Sequence, residues 1–153
     1  MTNNSPTKSL RHFALFFFFA FLDERLAMEV ADRAVTSYRS KTKSLDQNST
    51  EARKILIKIC AELWKSNKKR IVHGRPSSQL NDFGHLPAGA DQTAWVRFHK
   101  DAAEEELLAI LFSQVLGLPA QDISEALKIS TGTLRHRIGR GIRMLGEYVG
   151  PTL

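Results

Sequence analysis

Apolar residues recur three and four positions apart through most of the chain, a period that predicts helices. The first such stretch covers about 11–40. Phe13, Phe16, Phe17 and Ala20 share a stripe with Ala27, Ala31, Ala34, Val35 and Tyr38. Leu15, Phe18, Phe19 and Leu22 lie off that stripe and widen the apolar surface beyond one face. Such a helix is either central in its domain or meets another protein. Central burial is the simpler reading. Under the other, Phe18 and Phe19 face outward and are candidate protein contacts. "SKTKSLDQNST" is polar and carries no period, so it reads as a connector. Ser49 or Thr50 then caps a second helix over about 51–71. Its stripe is Ala52, Ile55, Leu56, Ile59, Cys60 and Leu63, which places Cys60 in a core.

"HGRPSSQLNDFGHLPAGADQTA" breaks the periodicity with three Gly and two Pro and reads as a flexible linker. Trp95, Val96 and Phe98 begin to pack on the second helical unit. Three more helices complete the chain. The first, about 101–116, opens with the acids of "DAAEEE" and buries Leu107, Leu108, Ile110, Leu111, Val115 and Leu116. Gly117 and Pro119 end it. A short helix, "AQDISEAL", turns Ile123, Ala126 and Leu127 inward. After the break "KIS", Ser130 caps a last helix over about 131–147. The expected fold is all-α: two small helical domains, 1–72 and 99–153, joined by a flexible linker at 73–98, the second ending in a helix-turn-helix.

The last helix has two chemically different faces. Leu134, Ile138, Ile142 and Leu145 form the expected core stripe, with Gly141 beside it. Thr133, His136, Arg140 and Arg143 lie opposite, flanked by Arg135 and Arg137. Ser130 to Gly146 holds four arginines and no acid. A helix presented this way enters a major groove, its arginines reaching phosphates or guanine edges. The formal net charge of +6 and a pI near 9.7 suit a polyanionic partner. The second helix is basic as well, with eight Lys or Arg against two Glu between Glu51 and Arg75. Its end, "WKSNKKRIVHGR", is either a solvated face or a nucleic-acid contact with Trp64 beside Lys65, Lys68, Lys69 and Arg70.

Other chemistry is not indicated. One cysteine excludes an intrachain disulfide and a multi-cysteine metal cluster, and fits a reducing compartment. No glycine-rich phosphate loop, metal-ligand spacing or nucleophile with a partnered base is present. The chain is expected to act by binding, with no catalysis, cofactor or metal. The apolar block Phe13–Leu22 is ten residues long, where a membrane span takes roughly 20. Asp23, Glu24 and Arg25 stand where a secretion signal needs small residues. No membrane insertion and a cytoplasmic location are expected.

"VLGLPAQDISEALKISTGTLRHRIGRGIRML" resembles region 4 of bacterial sigma factors, most closely the extracytoplasmic-function type. The resemblance rests on Gly117-Leu118, Ile123, Ala126, Gly132-Thr133-Leu134, Arg137, Arg140 and Leu145. It implies duplex DNA as a partner, contacted by Thr131, Thr133, Arg135, His136, Arg137, Arg140 and Arg143. It also implies a region-2-like first domain that binds RNA polymerase core and melts the promoter. "AMEVADRAV", with Glu29 and Asp32, falls at the polymerase-binding segment, and "ILIKICAELWKSNKKR" at the melting helix. An anti-sigma or other regulatory protein is a further implied partner. Gly139 and Gly141 are expected to admit a partner or the DNA backbone. Two other readings stay open: a sigma-like chain that has become a protein-interaction module, and a plain helix-turn-helix regulator acting as a dimer.

Overall fold

The computed structural model describes residues 6–71 and 92–149. Its elements are α1 (Pro6–Phe21), α2 (Glu24–Lys41), α3 (Thr50–Asn67), α4 (Gln92–Asp101), α5 (Glu104–Ile110), α6 (Ala120–Leu127) and α7 (Thr131–Val149). A 3-10 turn, Lys68–Arg70, extends α3, and a π-helical turn, Leu111–Val115, extends α5. No strand occurs among the described residues, and the fold is all-α. Most of the expected linker, 73–91, lies outside the described residues. Its last part, 92–98, belongs to α4, because Ala94, Trp95 and Phe98 share one face and are buried together.

The helix expected over 11–40 is two helices. Leu22 adopts the left-handed conformation at φ +54°, which costs about 1–2 kcal/mol for a residue with a Cβ. Asp23 follows in extended conformation, and its carboxylate accepts the Leu26 N–H at 3.1 Å. The chain therefore folds back, and α1 and α2 pack side by side, with Phe13 edge-on to Tyr38 at 5.7 Å. The apolar pattern runs unbroken through this corner because Leu22 is itself buried.

α1 is the centre of the molecule. Phe13, Phe16, Phe17, Phe18, Phe19 and Phe21 are all buried, none more than 2% exposed. Phe16 stacks on Phe112 of the π turn at 4.9 Å, and Phe19 meets Trp95 of α4 at 4.9 Å. His99 Nε2 lies within hydrogen-bond distance of the Phe19 carbonyl. Central burial, the simpler of the two readings, is therefore the one found, and the alternative in which Phe18 and Phe19 face outward is corrected: α2 covers one side of α1, and α4 with the π turn covers another. Each such ring contributes roughly 1.5–3 kcal/mol of burial.

The two halves of the chain share one continuous core that includes α1, α3, α4, α5 and α6. α3 begins where Ser49 Oγ accepts the Ala52 N–H at 3.1 Å. It buries Leu56, Ile59 and Cys60 as its stripe predicts, and also Ile57 and Trp64, because α6 packs against it too. Ion pairs tie this seam: Arg53 with Asp122, Lys54 with Glu125, and Lys68 with Glu104. α5 closes in the π turn, where Leu116 N–H reaches back five residues to the Leu111 carbonyl at 3.0 Å. Gly117 at φ +65° then lets Leu118 N–H reach the Phe112 carbonyl.

Candidate nucleic-acid interface

α6 ends at Lys128 in left-handed conformation (φ +60°), and Ile129 N–H returns to the Ser124 carbonyl at 3.0 Å. Ser130 Oγ accepts the Thr133 N–H at 3.0 Å and starts α7. Three residues thus separate a short helix from a long one, at the positions the sequence predicts.

α7 is held by Leu134 and Gly141, both buried, with Ile138, Met144, Leu145 and Tyr148 half-buried around them. Gly141 faces this core. A Cβ there would collide with the fully buried Ile110 side chain and meet Phe98 at 3.4 Å. The expectation that Gly141 admits an outside partner is therefore corrected: what it admits is α5. Ile142, expected in the core stripe, is 48% exposed. One residue on from Gly141 turns it about 100° away from the contact. Gly139 differs from Gly141, since nothing lies within 4 Å of a Cβ placed there.

The outer face carries the predicted DNA set. Thr133, Arg135, His136, Arg140 and Arg143 are exposed, and Thr131 and Arg137 are half-buried. Arg135, Arg137 and Arg143 form no ion pair among the described residues. Arg140 is committed: its Nε donates to Glu106 Oε2 at 2.6 Å, and Glu106 is buried. The other Glu106 oxygen accepts the Ala103 N–H at 3.1 Å and so fastens the start of α5. Gly132, Gly139 and Gly146 recur every seven residues and leave a low strip between Arg135 on one side and His136 and Arg143 on the other. Their spacing is legible in the sequence, and the missing side chains leave the helix backbone uncovered along this strip.

The second basic group is partly dismantled by its own contacts. Trp64 is buried, so it offers no stacking surface, and its indole N–H has no partner among the described residues. Lys68 sits 5.3 Å over that ring and pairs with Glu104. Arg70 clamps Glu29 through both terminal nitrogens, at 2.6 and 3.0 Å. This hydrogen bond lowers the Glu29 pKa below its usual value. Lys65 and Lys69 remain exposed, and Asp32 is exposed on α2. Glu29 thus serves an internal pair, reinforced by Arg33 at 3.7 Å.

Among the described residues no group of three or more His, Cys, Asp or Glu could hold a metal ion, and no helix is long and apolar enough to cross a membrane. Comparison with protein families, curated proteins and solved structures gives no match to this chain.

Proposed function

We propose that the protein is a transcriptional regulator that binds duplex DNA through the outer face of α7. One observation carries the reading: Arg135, Arg137 and Arg143 lie on one helix, free of ion pairs among the described residues, with no acid between Ser130 and Gly146. The N-terminal turns of α7, with Thr131, Thr133, Arg135 and His136, meet base edges, and Arg143 meets phosphate. Arg140 acts on the fold through Glu106. The resemblance to sigma region 4 supports this assignment of roles, and with it recruitment of RNA polymerase core.

A second reading has its own support. The halves share one core, whereas reading two promoter elements requires them apart. Trp64, Lys68 and Arg70, which a promoter-melting helix would present, are buried or paired. This favours a sigma-like chain that keeps DNA or protein binding without polymerase recruitment. Fluorescence anisotropy of a duplex promoter pool, titrated with the full chain at several salt concentrations, tests the first reading. Binding that weakens steeply with salt supports it, and no binding at low salt refutes it. Co-purification with core polymerase separates recruitment from its loss.

A further inference from the structure

A cavity of about 180 Å³ lies where the two halves meet. Its walls come from α1, α2, the connector before α3, α3 itself, and Leu118 ahead of α6. Ser9 and Tyr38 line it and are only 6% and 3% exposed. Neither hydroxyl makes a side-chain hydrogen bond among the described residues, and both residues line the cavity, so an occupant can take them as partners. Burial raises the Tyr38 pKa, so the phenol stays protonated and can donate. The cavity's polar lining therefore offers donors to an occupant.

The lining defines that occupant's chemistry. Arg53 uses three of its five N–H groups, on Asp122, the Asn48 carbonyl and Thr50 Oγ1, which leaves two. Gln47 and Asn48 add amide donors. No Asp or Glu lines the space among the described residues. Leu56 and Leu118 supply an apolar end. A cavity of about 150 Å³ holds a benzene ring, so this one accepts a single ring with a small polar group. We propose that this cavity is a binding site for a small carboxylate with an apolar body, about the size of benzoate. The carboxylate takes the donors of Arg53, Ser9 and Tyr38, and the body rests on Leu56 and Leu118. Because Leu118 belongs to the second half and Ser9, Tyr38 and Arg53 to the first, occupancy fastens the halves together.

The test uses the full chain with benzoate and, as its neutral counterpart, benzamide. Benzoate should bind saturably by ligand-observed NMR and raise the unfolding temperature. Benzamide should bind at least about tenfold more weakly, since a hydrogen bond to a charged group is the stronger one. Ser9→Ala and Tyr38→Phe, checked for native circular dichroism, should each weaken benzoate about fivefold. Leu118→Phe should fill the apolar end and abolish binding. Equal affinity for benzamide, or unchanged affinity in both hydroxyl variants, would overturn the site. So would no binding of either probe at millimolar concentration, which would leave water as the sole occupant.

Discussion

Gly139 and Gly141 stand two residues apart in one helix, and their surroundings give alanine opposite effects at them. Glycine in a helix interior costs about 1 kcal/mol relative to alanine. At Gly139 a methyl group meets nothing within 4 Å, so Gly139→Ala should stabilise by about 0.5–1 kcal/mol. At Gly141 the same methyl group meets Ile110, which is fully buried and cannot swing into solvent. Overpacking of this kind costs about 1–3 kcal/mol. Set against the helix gain, Gly141→Ala should be destabilising by up to about 2 kcal/mol. The two variants should then differ by about 1–3 kcal/mol, or several degrees in unfolding temperature for a chain of this size. Urea unfolding and thermal melts of both variants measure this. If both were equally stabilising, α7 would not pack on Ile110, and the faces assigned to α7 would be wrong.

Phe16→Ala and Phe19→Ala should each lose about 3–5 kcal/mol in urea unfolding, since both rings are enclosed. A loss below about 1 kcal/mol at Phe19 would restore it as a surface residue. Arg140→Gln should lower stability measurably by stripping the buried Glu106 of its cation, whereas Arg143→Gln should leave unfolding unchanged within about 0.5 kcal/mol. Equal effects of the two on stability would remove the structural role given to Arg140. The lowered Glu29 pKa implies stability that is fully present above the unfolded-state pKa and is lost as pH falls through the folded value. Glu29→Gln should therefore flatten the acid limb of the urea midpoint plotted against pH, and an unaltered limb would show that the Arg70 pair contributes nothing there.

The C-terminal elements were legible because their local signals agree: Ser130 before an apolar period, Gly117 and Pro119 at a stop, and a three-residue break between helices. The corner at Leu22 was not, because an apolar residue in left-handed conformation leaves no mark in the hydropathy pattern. Asp23 as a helix cap was the available clue. The fate of Phe19 depends on α4, which comes from the region read as a linker. Long-range partners were equally out of reach. Glu106 claims Arg140, Glu29 claims Arg70 and Glu104 claims Lys68, each across more than thirty positions. A wheel can give a side chain's direction, but which opposite charge meets it is decided by tertiary packing. Ile142 and Gly141 show the same limit at a finer scale, since a shift of one residue in the buried face exchanges their roles.

The most direct test of DNA binding by α7 is the salt slope of the variant Arg135→Gln, Arg137→Gln, Arg143→Gln on a duplex that the native chain binds. Each phosphate contact contributes about 0.9 to the slope of log affinity against log salt. Removing three cations from α7 should lower the slope by about 0.9 for the phosphate met by Arg143, and by no more than roughly 2.7 in all, with thermal unfolding little changed because none of the three makes an ion pair among the described residues. An unchanged slope in a variant that folds normally would place the DNA contact elsewhere and contradict binding through this face.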